Sequence, residues 1–262
     1  MRSATRVAMA ALLVAASSSW ANNLSMTFGL DVDTNYTFRG AKRGPFGLLP
    51  ELNADYSLGK GFSFIGNLVQ YVKVDGGFNF GEGLYRAALQ FKPPIIGKLA
   101  TMQAGFNWYT PSSNLTDISF APDNTNGKNT GEWFGQLAFN VPGTPTLAVM
   151  HDFVLRSGTY WRLSASRQQT VMGDWHLDLA GSLGLDFGHG LGGWRDGLVH
   201  VGVTRDIAPG LAIGPMADFE LPNSKVDPGS GFVKPVFGFT VQYTPTRVGG
   251  KASPASRLGP GF

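Results

Sequence analysis

Few side chains in this sequence have the chemistry of a catalytic nucleophile or base. It contains no cysteine, which excludes a cysteine nucleophile, thiolate metal sites and a disulfide scaffold. His151 interrupts an otherwise apolar row and could act as a base only with a nucleophile within hydrogen-bond reach. The apolar rows of the neighbouring segments offer only Thr159 as a hydroxyl. We favour an interfacial histidine or a local register shift, with a lipid-modifying hydrolase as an alternative.

Three further patterns suggest binding sites, and each lacks a component. His176 and His200 could be neighbours, but two histidines without a clear third ligand are weak evidence for a metal. Residues 188–193, GHGLGG, match the dinucleotide pattern G-x-G-x-x-G, which must open a helix, whereas a strand is predicted here. Residues 123–127, DNTNG, offer oxygen ligands but lack the carboxylate series of a calcium loop. We therefore predict neither a metal nor a cofactor.

A larger set of charged residues falls on one face of successive alternating segments. A dry core lined by such residues would cost several kcal/mol for each unpaired charge, whereas a water-filled lumen would hydrate them. We therefore predict that they line a lumen, as hydrated or paired charges or, alternatively, as individual selectivity determinants. Because acidic residues outnumber basic ones, we also predict a weak cation preference. The set comprises Asp31, Asp33, Arg39, Glu51, Asp55, Arg86, Glu132, Asp152, Arg156, Arg162, Asp178, Asp186, Asp206, Asp218 and Glu220.

The segment that carries the first of these charges is residues 24–39, LSMTFGLDVDTNYTFR. Every even position from Leu24 to Phe38 is apolar except Thr34, and the odd positions are small, polar or charged. Side chains on a strand alternate between faces, so this segment predicts one ribbon with an apolar and a polar side. Strands of soluble domains usually run about five or six residues, whereas a strand crossing a bilayer needs roughly nine to eleven. The length and pattern favour a membrane strand.

Eleven further runs follow, and together they predict a transmembrane antiparallel up-and-down β-barrel of about 12 strands. The predicted strands are 24–39, 48–58, 62–73, 85–91, 99–109, 132–141, 146–156, 159–168, 175–187, 197–206, 211–221 and 232–243. The long connections, 74–83, 110–131, 188–196 and 222–231, all follow odd-numbered strands, as external loops of outer-membrane barrels do. Two details are irregular. In the third run the apolar residues change from even to odd positions, which suggests a bulge near Gly66. In addition, only Ser157 and Gly158 link strands seven and eight.

The ends of the chain predict its compartment. Arg2 and Arg6 precede an apolar run, and Ser19, Trp20 and Ala21 form a cleavage site, so residues 1–21 are predicted to be a secretory signal peptide. No later apolar run is long enough for a membrane helix. Without the two signal arginines, the 21 basic residues become 19 against 18 acidic ones, a charge of +1, and no basic patch predicts nucleic-acid binding. We predict a barrel over residues 22–243 and a Gly/Pro-rich tail over 244–262.

One resemblance accompanies these patterns. Residues 35–40, NYTFRG, followed by 49–52, LPEL, and by Asp55 and Tyr56, resemble the opening of the TorF-like porin family of outer-membrane β-barrel proteins. The resemblance covers roughly residues 27–70, implies an outer-membrane barrel with a transport role, and carries over no catalytic residue. Outer-membrane barrels generally end on an aromatic residue of the last strand; this chain ends at Phe262 after a segment with Pro254 and Pro260, so Tyr243 is the predicted strand end.

The sequence thus predicts a porin in the outer membrane of a Gram-negative bacterium, without enzymatic activity, that passes small polar solutes or ions. The alternative is a structural or adhesive barrel without an open pore, because twelve strands enclose a narrow bore that side chains can nearly fill. The predicted partners are outer-membrane lipid, the barrel assembly machinery and small polar solutes. The solute, the pore radius, the oligomeric state and the roles of the tail and of loop 110–131 do not follow from the sequence.

Overall fold

The structure is a computed structural model that describes residues 23–39, 41–44, 46–74, 77–93, 97–110, 129–154, 158–188, 192–224 and 233–245. The predicted signal peptide, most of the predicted tail, Arg156 and residues 123–127 therefore lie outside the described residues. The described strands are β1 (Leu24–Asp33), β2 (Tyr36–Phe38), β3 (Ala41–Gly44), β4 (Gly47–Gly59), β5 (Phe62–Val74), β6 (Phe78–Phe91), β7 (Ala100–Thr110), β8 (Thr130–Phe139), β9 (Thr146–Asp152), β10 (Gly158–Met172), β11 (Trp175–Phe187), β12 (Gly193–Ala208), β13 (Leu211–Pro222) and β14 (Lys234–Tyr243).

Twelve of these strands form a closed antiparallel barrel, and β2 and β3 form a separate two-stranded hairpin. The barrel closes where β1 pairs with β14, with Phe28 opposite Tyr243 and Asp33 opposite Gly238. On its other side β1 pairs with β4. Closure leaves no unpaired strand edge in the barrel, which removes the template for edge-to-edge aggregation. The predicted fold class, strand number and closing pair are confirmed.

The two faces of the barrel differ as the alternation predicts. On β11, Leu179, Leu183 and Leu185 are between 41% and 49% exposed, whereas Asp178 and Asp186 on the opposite face are buried. The outer surface is therefore apolar and the inner one polar, the reverse of a soluble protein and the pattern of a strand that faces lipid. None of the described residues belongs to a helix long and apolar enough to cross a bilayer.

Aromatic side chains gather near both ends of the outer surface. At one end, Phe106, Trp133 and Phe153 pack with ring centroids 5.4–5.6 Å apart. At the other end, Phe62 stacks on Phe91 at 4.3 Å. In transmembrane β-barrels, girdles of aromatic side chains usually flank the apolar band at both membrane interfaces.

The connections distinguish the two ends of the barrel. One, the turn end, carries the connections 60–61, 92–99, 140–145, 173–174 and 209–210; the other, the loop end, carries 34–46, 75–77, 111–129, 153–157, 188–192 and 223–233. The prediction of a long loop over 74–83 is wrong, because β5 and β6 extend into this segment and are connected only by residues 75–77. The predicted two-residue link between strands seven and eight is also wrong. There β9 ends at Asp152, whose Oδ1 accepts a hydrogen bond from the Val154 N–H at 2.9 Å and turns the chain.

The first predicted strand is too long. β1 ends at Asp33, and Thr34, the one break in the apolar row, marks the departure of the chain from the wall. Its N–H donates to the Phe237 carbonyl at 2.9 Å, and its hydroxyl accepts from the Phe237 N–H at 3.1 Å. Beyond it the chain forms β2 and β3, which we call the inner hairpin because Arg39, between the two strands, lies inside the barrel.

The bulge predicted near Gly66 is wrong. Gly66 pairs regularly with Ala54 on β4 and with Ala87 on β6, and the register with β6 shifts only between Gln70 and Val72. The apolar odd residues of β5 therefore face inward. This is possible because part of the barrel interior is apolar, so an inward apolar row does not require a register change.

Gly105 on β7 marks a close approach of two wall strands that the sequence does not reveal. A Cβ there would collide with the Ala87 carbonyl oxygen of β6 and lie 2.6 Å from the Ala88 Cα, whereas a Cβ at Gly135 on β8 would meet no atom within 4 Å. We therefore expect Gly105→Ala to lower the free energy of unfolding by about 1–3 kcal/mol, the usual cost of overpacking. Urea unfolding in lipid vesicles measures this. Equal effects of Gly105→Ala and Gly135→Ala would contradict it.

Candidate functional site

The inner hairpin extends into the lumen, and its Arg39 side chain reaches the opposite wall. It leaves the wall between β1 and β4, and the Arg39 guanidinium reaches β8, where Nη1 lies 2.5 Å from Glu132 Oε1 and Nη2 lies 2.8 Å from Oε2. Both side chains are buried, at 7% and 5% exposed. A bidentate arginine–carboxylate pair is directional as well as strong, so this contact fixes the position of the hairpin.

Three further strands hold the same guanidinium. Arg39 Nη2 lies 3.2 Å from the Tyr109 hydroxyl on β7 and 3.0 Å from the Met150 sulfur on β9. The guanidinium also lies 4.4 Å from the centre of the Tyr160 ring on β10, a cation–π distance. The Tyr109 hydroxyl also donates to Glu132 Oε2 at 2.7 Å. Arg39 has φ 48°, a left-handed conformation uncommon for arginine, which the surrounding contacts hold in place.

A second group of charges supports the hairpin from β10 to β12. The Tyr160 hydroxyl donates to Asp196 Oδ1 at 2.9 Å, and the Arg195 guanidinium is paired with Asp186. Arg195 Nε also donates to the backbone carbonyl of Arg39 at 3.3 Å. The hairpin is therefore held through both its side chain and its backbone.

Apolar side chains fill the interior on one side of the hairpin. Leu49, Tyr71 and Tyr109 are at most 2% exposed, and Val69 and Leu84 pack against them. A second cluster nearer the turn end includes Phe134, Met150 and Tyr160 with Ile65 against it. Arg86 lies 4.4 Å from the centre of the Phe134 ring, and its Nε donates to Asn107 Oδ1 at 2.8 Å.

Acidic side chains dominate the other side, next to the closing strands. Asp33 on β1 is 3% exposed and lies within electrostatic range of Asp31, Asp218 and Glu220. His200 Nδ1 lies 2.6 Å from Asp218 Oδ1. The site is thus a constricted lumen that contains two apolar clusters, a docked arginine and a group of acidic side chains.

The structure places most of the predicted lumen residues on the inner face, in several different environments. Asp33, Arg39, Arg86, Glu132, Asp152, Arg162, Asp178, Asp186, Asp218 and Glu220 are buried, and Asp31, Glu51 and Asp55 are half-buried. Asp206 is the exception: its side chain is 54% exposed near the turn end, 3.0 Å from His176 Nε2. Their predicted role in a conducting lumen remains a prediction.

Sequence patterns missed four residues of the site. Arg195 and Asp196 precede the predicted start of their strand at residue 197, and a register shift between Gly184 and Leu185 interrupts the alternation there. Tyr109 and Tyr160 lie in the predicted strands 99–109 and 159–168 but are not among the predicted lumen residues. Their parity with the inward residues Asn107 and Arg162 was the available signal, because side chains two apart on a strand share a face.

The histidine hypotheses have different outcomes. His151 and Thr159 are directly opposite on β9 and β10, in regular register, and His151 Nδ1 lies 3.1 Å from Thr159 Oγ1 on the exposed outer face. No carboxylate contacts this pair among the residues that the structure describes, so nothing there orients the ring as a general base.

His176 and His200 are not neighbours: His176 pairs with Thr204, and His200 pairs with Ala180. No cluster of three potential metal ligands occurs within the described ranges.

The glycine-rich stretch 188–193 connects two strands. Gly193 begins β12, and no helix follows the glycines. The pyrophosphate site of a dinucleotide fold needs the N-terminus of a helix, which this connection does not supply. Residues 189–191 of the predicted loop lie outside the described residues.

Several solved structures of outer-membrane proteins are similar to this chain. The chain is similar to the NanC porin, with 8% identity over 82% of this chain and 98% of that one and a TM-score of 0.51. It is also similar to an outer-membrane channel from Pseudomonas putida F1, with 8% identity over 84% of this chain and 95% of that one and a TM-score of 0.48. The TodX monoaromatic hydrocarbon channel gives 11% identity over 88% and 92% and a TM-score of 0.43.

The closed barrel with its apolar outer surface has the fold of an outer-membrane β-barrel, and the NanC porin shares this fold. At 8% identity the likeness shows the fold and not the solute. No protein family and no curated protein sequence matches the chain.

Proposed function

We propose that this barrel is a narrow channel for small cations and small polar solutes across the outer membrane. The observation that carries the proposal is the excess of buried acid in the lumen. Among the described residues, nine carboxylates are buried, Asp33, Glu82, Glu132, Asp152, Asp178, Asp186, Asp196, Asp218 and Glu220, against four arginines, Arg39, Arg86, Arg162 and Arg195. Buried charges are costly unless they are paired or hydrated, and mobile cations in a wet lumen would neutralise the surplus.

Unpartnered polar atoms support a wet interior. The buried atoms Gln103 Oε1, Gln136 Oε1 and Asp196 Oδ2 have no hydrogen-bond partner within the described part of the chain. Such atoms in folded proteins are usually satisfied by water. A barrel that served only as a structural plug would gain stability by replacing these groups with apolar side chains, as occurs in ordinary protein cores.

The alternative of a structural or adhesive barrel without a pore has one observation in its favour. The inner hairpin and the two apolar clusters narrow the bore of a barrel that is already small at twelve strands. The channel proposal accommodates this by expecting a low conductance. The location in the outer membrane of a Gram-negative bacterium, a cleaved signal peptide, insertion by the barrel assembly machinery and kinship with the TorF-like porin family all belong to the proposal.

The proposal is tested with the purified, heat-modifiable barrel in planar lipid bilayers. We expect small single-channel currents and, in a KCl gradient, a reversal potential displaced toward that of potassium. A bilayer with folded barrel inserted and no current supports the structural alternative. Currents with firm anion selectivity contradict the proposed role of the acidic interior.

A further inference from the structure

The inner hairpin enters the lumen beside two groups of inward residues that differ in chemistry. It starts between β1 and β4, and Arg39 touches β7, β8, β9 and β10 on the opposite wall. In the barrel, β14, β13, β12, β11 and β10 follow β1 on one side, and β4, β5, β6 and β7 follow it on the other. We call the apolar cluster of Leu49, Tyr71, Tyr109, Val69 and Leu84 on β4–β7 the apolar half, and the inner faces of β11–β14 with β1 the acidic half.

The apolar half is closed by contact between side chains. Leu49, Tyr71 and Tyr109 are 2%, 1% and 2% exposed, and Val69 and Leu84 pack against them. A cation entering this cluster would lose its hydration without gaining a replacement ligand, which costs many kcal/mol. This half therefore offers no favourable passage to an ion.

The acidic half has the opposite chemistry. Asp33 is only 3% exposed, and its Oδ1 has no hydrogen-bond partner among the described residues. The carboxylates of Asp31, Asp218 and Glu220 lie within electrostatic range of it. Two atoms of β12, Asp196 Oδ2 and His200 Nε2, are likewise buried without a partner in the described ranges. Polar atoms from separate strands thus remain available to water or to a cation.

A glycine makes room for the Asp33 carboxylate. Gly238 on β14 is the register partner of Asp33, and a Cβ there would collide with Asp33 Oδ1 and lie 2.7 Å from the Met216 methyl group. Any larger residue at this position would displace the carboxylate. The space beside β14 is therefore shaped around an acidic group that the described residues do not pair.

We infer that cations cross the barrel off its axis, through the acidic half, and that Asp33 is the residue that sets their selectivity over anions. This inference rests on the proposed channel function. No group of three metal ligands lies within reach of one another in the described part of the chain, so the acidic half suits hydrated cations in transit and not a resident metal ion. Anions are repelled by the same group of carboxylates.

The first test compares neutralised carboxylates inside and outside the acidic half. Asp33→Asn and Glu220→Gln, in the acidic half, are each expected to lower the potassium-to-chloride permeability ratio by at least about fivefold, because one unit charge at about 4 Å in water changes the affinity for either ion by about this factor, in opposite directions for the two ions. Glu82→Gln, which neutralises a buried carboxylate of β6 away from the acidic half, is the matched comparison and is expected to lower the ratio less than either of these variants. The readout is the reversal potential in a KCl gradient, with heat modifiability confirming that each variant is folded.

A second test uses the absence of native cysteine. A cationic methanethiosulfonate reagent is expected to reduce the current of Asp33→Cys, and to leave the current of Val69→Cys in the apolar half unchanged. Three results would overturn the inference: an unchanged ratio in both Asp33→Asn and Glu220→Gln, an equal change in Glu82→Gln, or block of Val69→Cys but not of Asp33→Cys. A folded wild-type barrel without any current would instead refute the proposed function, so the two failures are distinguishable.

Discussion

Replacement of Arg39 by alanine is expected to raise the single-channel conductance severalfold. The substitution removes the side chain that spans the lumen and leaves Glu132 buried without its bidentate partner. Removing one partner of a buried ion pair costs about 3–5 kcal/mol, which shifts the docking equilibrium of the inner hairpin at least about a hundredfold toward the undocked state. The backbone hydrogen bonds that join the twelve wall strands do not involve the Arg39 side chain, so the barrel itself is expected to persist.

The controls separate docking from charge. Arg39→Lys keeps the positive charge but cannot form the two parallel hydrogen bonds to Glu132, so its conductance should lie between those of the wild type and Arg39→Ala. Arg205→Ala removes an arginine that lies 5.5 Å from the Trp175 ring, outside the lumen network, and should leave the conductance unchanged. An Arg39→Ala barrel that is folded and conducts as the wild type does would show that the hairpin does not limit the current.

Arginine in place of Leu183 is expected to cost about 2–4 kcal/mol of unfolding free energy, the penalty for a cation on the lipid face near the bilayer midplane. Leu183 is 49% exposed on the outer face near the middle of β11, directly opposite Leu163 of β10. The expected loss depends on the barrel being surrounded by lipid, because an arginine on a water-exposed strand would cost little. Urea titration of the barrel in phospholipid vesicles, followed by tryptophan fluorescence, measures the difference.

The matched variant is Val171→Arg. Val171 is 64% exposed at the end of β10, next to the turn 173–174, where a cation can reach the membrane interface. Its expected cost is about 0–1 kcal/mol. If Leu183→Arg and Val171→Arg are equally destabilised, the outer surface does not experience the depth-dependent environment of a bilayer.

The wall of the barrel was predictable because it depends on local alternation. On β11, apolar residues at odd positions and Asp178, Ser182 and Asp186 at even positions predict both the strand and its orientation, and the structure has the same bounds, Trp175–Phe187. The pairing of β1 with β14 followed from the even strand number and the need to bury both edges. These inferences need no knowledge of distant contacts.

The interior was less predictable because it depends on side chains that meet across the lumen. Arg39 continues the alternation of β1, so the pattern assigns it to the wall, although it lies on the inner hairpin and pairs with Glu132, 93 residues away. The inward apolar row of β5 was assigned to a bulge for the same reason: alternation predicts which residues share a face, but not whether that face meets water or other side chains. Thr34 was the available signal that the first strand ends early.

Closure between β1 and β14 has a further consequence for how the chain folds. The hydroxyl oxygens of Thr27 and Thr244 lie 3.2 Å apart although 217 residues separate them in sequence. This contact cannot form until nearly the whole chain has been synthesised, and a high mean sequence separation between contacting residues slows folding. Until it forms, both terminal strands expose edges that can pair with other chains. The joining of first and last strands therefore sets an interval during which the unfinished barrel needs protection from aggregation.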